Sequence, residues 1–458
     1  MIRLTWVQPE DLVGHELRQA AEDGRDGPEV AGIAARWHAA GGHDAPPRAG
    51  ASEPRARALR PLAEHLLDEL AAIPSPLAEP TDLADIIAAT PAWPAAPAWP
   101  AVAAAPGGTG GRPEVDPARV LGAWQGRAAG CVLGKPVEKI PRQGVREIAE
   151  ATGNWPIRGW FTAEGLPREV AARWPWNRRS AVNSLAENIA GIPEDDDLNY
   201  PLLALTVLER HGRGFTTDDV AAVWLDELPA GRTFTAERVA YRNLLSGVEP
   251  PETATHRNPF REWIGALIRA DVYGWANPGD PATAAEYAWR DARLTHTANG
   301  VYGAMFAAAM CARSLVATSA EDVVAAGLSV VPPGSRLHEA VRLAAEDASV
   351  ERDFERVVDR LYERHGRLHW VHTINNAALV AAALVHGAGD VTATIAGAVA
   401  GGWDTDSAGA TAGSVAGALN GGVPDRWLMK NELASSLTGF DGIGLDELAR
   451  RTREMMQR

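Results

Sequence analysis

The sequence predicts an all-α protein: a compact multi-helix domain over residues 117–458, with a smaller, mainly helical region ahead of it. Three observations carry this expectation. Beyond residue 117, apolar residues recur at helical spacing in almost every periodic segment. Few windows show the alternating, β-branched pattern of a half-buried strand. Gly409, Gly413 and Gly417 recur every four residues in "SAGATAGSVAGALN". Such a row lies along one helical face and lets a neighbouring helix approach closely.

Taken in order, "IRLTWV" reads as one strand, and helical periodicity follows at 9–23, 28–39, 56–72 and 81–89, with Thr81 as N-cap of the last. Residues 1–89 hold no cluster of chemically capable side chains. The stretch 90–116, "TPAWPAAPAWPAVAAAPGGTGGRPEVD", is too rich in Pro, Ala and Gly for regular helix and reads as a semi-rigid linker, which Trp93 and Trp99 would pin to a neighbouring surface. Helices are then expected at 117–134, 200–212, 295–317, 373–387, 391–402 and 407–420, the last closed by Gly421 as a left-handed C-cap.

Composition narrows the partners. At 46% hydrophobic and 22% charged residues, the chain suits a globular protein with a substantial core. A net charge of −15, with no Lys/Arg run, argues against nucleic-acid and membrane-surface binding. Two cysteines, Cys131 and Cys311, exclude a disulfide framework and suit reduced, buried thiols. With no signal peptide at the N-terminus and no apolar run long enough to span a bilayer, the expected location is cytoplasmic. Oligomeric state is not legible.

Two acidic knots carry the chemistry. "GGWDTDS" places Asp404 and Asp406 in an otherwise apolar neighbourhood, and "IPEDDDLNY" places Glu194, Asp195, Asp196 and Asp197 directly ahead of an apolar helical pattern. One or two acids complement a helix N-terminus. Four in succession repel one another unless something positive sits among them. An EF-hand register from Asp195 fails, because Tyr200 stands where Gly is needed and Thr206 where Glu is needed. No His or Cys stands at zinc spacing near either knot. "DTDSA" cannot be the strand-borne DxD of a haloacid-dehalogenase-type phosphatase, since it lies between Ala/Gly-rich helices with too little chain left for that fold. Oxygen-only ligands from both knots point to a hard ion, Mg²⁺ first, with Mn²⁺ or Ca²⁺ next.

At these residues the chain resembles the ADP-ribosylglycohydrolase family. "GRAAGCVLGKPVEKI" (126–140) is similar to the family's Gly-rich helix and "GDALGxPxE"-like turn. Glu194–Asp197 stand at its (Ser/Thr)-Asp-Asp-Thr motif, and "GGWDTDS" at its Gly-Gly-Asp-Thr-Asp-Thr motif. The resemblance spans about 117–455 and implies an all-α domain with two Mg²⁺ ions, or Mn²⁺ in their place, in a cleft. It also implies Asp195, Asp196, Asp404, Asp406 and Ser407 as ligands, Glu194 at the position of a hydroxyl ligand, and Glu138 as the glutamate that gates or assists catalysis. The chain departs from the pattern at Glu194, Asp197 and Trp403, which makes the site more anionic and bulkier and leaves the usual ADP-ribosyl substrate open; Cys131 and Lys135 are also unusual, Lys135 standing where an aspartate is common.

The function so implied is Mg²⁺-dependent cleavage of a ribosyl N- or O-glycosidic bond, in an ADP-ribosylated protein or a small ADP-ribosyl or nucleoside compound. Glu138, then Asp196, would activate water or protonate the leaving group at an oxocarbenium-like transition state. His296, His372, Asn375 beside Asn376, and Trp403 are candidate substrate contacts, although capping or core hydrogen bonding is the favoured reading of the histidines and asparagines. The Trp- and Arg-rich stretch 151–191 offers stacking and pyrophosphate-binding groups, or packs as a surface excursion. Two other readings use the same acids: a metal-dependent phosphoester hydrolase, and a non-catalytic ADP-ribose-binding module. The density of negative charge argues against the second.

Overall fold

A computed structural model describes residues 7–46, 54–94 and 113–458. Its described residues form helices and connecting loops; their only strand-like pairings are isolated bridges such as Ile192–Leu433 and Trp263–His372. Among them, no helix is long and apolar enough to cross a membrane. The expected strand at 2–7 and Trp99 fall almost wholly outside these residues, while Trp93 packs against the main core.

Helices poor in charge all round belong in a protein interior, and three of them are buried over long unbroken runs. Every residue is buried over 299–312 of Ala298–Ser314, 373–385 of Thr373–Gly387 and 405–418 of Thr405–Asn420. Outer helices such as Arg142–Ala151 and Phe354–His365 bury one apolar stripe and turn Arg and Glu outward.

The glycine row of Thr405–Asn420 finds its partner in Pro117–Gly134, which carries a row of its own, Gly122, Gly126, Gly130 and Gly134. The two helices run antiparallel with backbones in contact. A Cβ on Gly126 would stand 1.9 Å from the Gly413 carbonyl oxygen, and one on Gly417 would stand 2.0 Å from that of Gly122. No real Cβ tolerates such a distance, so the pairing admits only glycine. The seam ends where Thr405 Oγ1 donates to the Gly134 carbonyl at 2.8 Å. That contact registers the turn after Gly134 against the turn before Thr405, and both turns carry acids.

The N-terminal helices Pro9–Glu22, Pro28–Ala39, Arg60–Ala71 and Leu83–Ala88 share the main apolar cluster with the body. Buried polar bonds fasten them. Arg261 bridges Glu16 and Asp23, Gln19 Nε2 donates to Glu262 at 2.7 Å, and Arg336 joins Glu79 to Glu262. Thr81 caps no helix of its own: Asp82 occupies that position, and Thr81 Oγ1 accepts from Ala298 N at the head of a core helix.

Candidate functional site

The glycine seam brings the two acidic knots to one place. Beyond Gly134 the chain makes a tight turn, Lys135–Val137, and presents Glu138. Across from it, Asp404 precedes the Thr405–Asn420 helix without a capping bond from its own side chain, so its carboxylate is not committed to that helix's amides. Carboxylate oxygens of Glu138, Asp404 and Asp406 lie within 4.8 Å of one another. The second knot joins the same group: Ser407 Oγ donates to Asp197 Oδ2 at 3.1 Å.

Asp195 is the N-cap of Asp196–His211, accepting from Asp197 N at 3.0 Å. Pro201 sits in that helix and has no N–H to give the Asp197 carbonyl four residues back. Arg127 fills the gap, donating from Nε to that oxygen at 2.7 Å while its Nη1 reaches Asp271 at 2.9 Å. Cys131 Sγ lies within 4.8 Å of carboxylate oxygens of Asp195 and Asp197. Sequence spacing could not show this, because the thiol arrives from a different helix.

Burial and mutual repulsion dominate the electrostatics. Burial, then Asp195 and Asp197, pushes Asp196 well above the usual carboxylate range; burial, then Asp195 and Asp406, does the same to Asp197. Asp404 is raised by burial and then Asp406, and Asp406 is pushed up to about 7 by burial and then Glu138. Asp195 goes the other way: burial raises it, but the Lys135 ammonium in contact with its carboxylate outweighs that. Four acids pushed up together by desolvation and by one another are a set whose repulsion, once ionised, a divalent cation would relieve.

The structure divides the sequence candidates. Glu138, Asp195, Asp196, Asp404, Asp406 and Ser407 come together. The Glu194 carboxylate turns outward, to Arg232 at 2.7 Å, Asn199 at 3.0 Å and Ser436 N at 2.8 Å, and Asp197 stands inside instead. His296 lies in the core against Thr295, 3.9 Å from Glu237. His372 caps the Thr373–Gly387 helix through Nδ1, and its Nε2 lies 3.9 Å from Glu22. Asn375 donates to the His369 carbonyl, whereas Asn376 Oδ1 accepts from Asp404 N at 3.2 Å and so holds the acidic turn. Trp403 is buried with its ring stacked on Tyr362, centroids 4.5 Å apart.

Two contacts escaped the sequence reading. Asn177 Nδ2 donates to Glu138 Oε2 at 2.6 Å, and Lys139 Nζ lies 2.8 Å from Glu138 Oε1. Asn177 belongs to the stretch 151–191, whose Trp155, Trp160, Trp174 and Trp176 pack on a second apolar cluster. Only the Asn side chain gives this contact away, and an asparagine among tryptophans and arginines draws no notice.

Residues 113–458 match the ADP-ribosylglycohydrolase family model. No curated protein matches the chain. Among solved structures, an ADP-ribosylglycohydrolase-related protein complex is similar at 22% identity, covering 74% of this chain and 98% of its own, with a TM-score of 0.45. The family match takes in the glycine seam, both acidic knots and Glu138, and the chain belongs to the ADP-ribosylglycohydrolase family, hydrolases that act on glycosyl bonds.

Proposed function

We propose that this enzyme is a Mg²⁺-dependent glycohydrolase cleaving a ribosyl N- or O-glycosidic bond, in an ADP-ribosylated protein or in a small ADP-ribosyl or nucleoside compound. One observation supports this above the others: Glu138, Asp404 and Asp406 present carboxylate oxygens within 4.8 Å of one another, with Asp195, Asp196 and Asp197 alongside. The donor set is oxygen-only and anionic, which suits a hard divalent ion.

Asp404 and Asp406 would hold the ion, with Glu138 at its edge. When bound, Mg²⁺ supplies Lewis acidity toward ribose oxygens and water. The chain's own groups divide the proton work. Glu138, fixed by Asn177 and Lys139, is an acceptor positioned to take a proton from water. Asp196, whose carboxyl is pushed up by desolvation and by its neighbours Asp195 and Asp197, is the group we assign to protonating the leaving group. Asn376 holds the backbone of Asp404 so that the acidic turn keeps its place as charge develops.

The test is mass spectrometry of products after incubation with ADP-ribosyl-arginine, ADP-ribosyl-serine and nucleosides, in Mg²⁺ and in chelator. Glycosidic cleavage confined to the Mg²⁺ samples is expected. Undiminished cleavage in chelator would sink the proposal. Release of inorganic phosphate with the glycosidic bond intact would favour the phosphoester reading.

A further inference from the structure

Arg127, Cys131 and Lys135 are spaced four residues apart, so they share one face of the helical stretch that leads into the site. That face lines the Asp195–Asp197 side. The Lys135 side chain is only 6% exposed; its ammonium touches the Asp195 carboxylate and lies 3.1 Å from the Glu194 carbonyl. One turn deeper, Cys131 lies beside both acids, and a further turn in, Arg127 holds Asp197 and Asp271. Fixed, buried cations of the chain itself therefore already oppose the acids on this side.

The other side is built differently. On that side the ion pair is the one between Glu138 and Lys139, whose side chain is 45% exposed at the rim. Among the described residues, neither Asp404 nor Asp406 forms an ion pair with a Lys or Arg side chain, whereas Asp195 and Asp197 both do. Three clustered carboxylates that no buried cation pairs with directly, among the described residues, stand next to a set that two buried cations do pair with.

We propose that this chain holds one divalent ion, at Glu138, Asp404 and Asp406, and that the Lys135 ammonium takes the place of a second ion beside Asp195. The proposal rests on the metal-dependent reading above and departs from the two ions that the family resemblance implies. A second divalent ion between Asp195 and Asp197 would meet an ammonium of like sign already in contact with Asp195, in surroundings with little water to screen them. The lysine also supplies its charge regardless of metal concentration, so that part of the site's neutralisation is permanent.

The experiment counts Mn²⁺ by titration calorimetry and by electron paramagnetic resonance on the full chain at saturating Mn²⁺. Wild type is expected to bind one ion per chain with the six-line signal of an isolated Mn²⁺. Lys135→Ala is expected to bind two, with the signal broadened by spin coupling, and Lys135→Arg to stay at one. Two coupled ions in wild type would overturn the proposal while leaving the metal-dependent reading intact, a result that needs no variant to fold. Lys135→Ala folded by circular dichroism yet still binding one ion would also overturn it. No Mn²⁺ bound by wild type would remove the metal-dependent reading and this proposal together.

Discussion

Gly130→Ala tests whether the glycine seam sets the site. The new Cβ would stand 1.8 Å from the Gly409 carbonyl oxygen and 2.3 Å from its carbon. Reaching even 3.0 Å requires the two helices to part by about 1 Å, and backbone on both sides leaves no side chain to swing away. Overpacking of this kind costs about 1–3 kcal/mol, and rigid backbone places Gly130 at the upper end. Replacing Gly by Ala inside a helix returns about 1 kcal/mol. The net expectation is a loss of about 2 kcal/mol, seen as a lower urea midpoint. The same parting moves Thr405 away from Gly134 and Asp404 away from Glu138, so Mn²⁺ affinity should fall by roughly tenfold, equivalent to about 1.4 kcal/mol. Gly32→Ala is the control: nothing lies within 4 Å of its Cβ, and it should stabilise the Pro28–Ala39 helix by up to about 1 kcal/mol. A Gly130→Ala protein with unchanged midpoint and unchanged Mn²⁺ affinity would refute the seam as the spacer of the site.

Three further outcomes are expected. Asp404→Asn should abolish Mn²⁺ binding, read by calorimetry, yet raise the melting temperature of the metal-free protein, because it removes one of several mutually repelling buried acids. Mn²⁺ affinity should weaken as pH falls below about 7, by up to about tenfold per unit for each proton displaced, since Asp406 titrates near there. Without metal the sign reverses: the folded value lies above the unfolded one, so Asp406 stabilises fully below about 4 and that stability is lost as pH rises toward 7; melting curves across this range check it. Arg336→Ala strands Glu79 and Glu262 in the interface with the N-terminal helices and should cost about 3–5 kcal/mol. In wild type, burial raises Glu262, but Arg336 and then His372 bring it down to about 2, so its stabilisation is present above pH 4.5 and disappears as pH falls toward 2.

The all-α class was legible because several helices are made almost wholly of Ala, Gly and aliphatic residues, which no exposed helix could carry. Pro117–Gly134 and Thr373–Gly387 begin and end where their periodicity does. The Asp196–His211 helix starts earlier than its apolar pattern, because Asp195 caps it and the two acids that follow form its first turn. Half of the glycine seam was visible in Gly409, Gly413 and Gly417. Its other half lies in a segment read for its family motif, and only the pairing of the two shows why each glycine is needed.

The acidic residues themselves were legible by type and spacing; their company was not. Glu194 looked like one of four equals, yet Arg232, Asn199 and Ser436, all contributed by tertiary structure or the helix behind it, draw its carboxylate outward. Arg127 and Lys135 are separated from Asp195 and Asp197 by some sixty residues or more, and nothing local says that their charges meet. His296 and His372 drew notice because imidazoles ahead of apolar helices suit substrate binding, but the same position suits an N-cap, which is what His372 provides. Asn376, one residue past the asparagine singled out first, is the one whose side chain reaches Asp404.

Anomalous diffraction from crystals grown with Mn²⁺ gives the most direct test of the central claim, that carboxylates from two distant segments converge to hold a divalent cation. The account predicts a peak within coordination distance of Asp404 and Asp406, bordered by Glu138. A Mn²⁺ peak elsewhere, with Asp404 and Asp406 hydrogen-bonded to each other and the protein still hydrolysing its substrate in chelator, would contradict it.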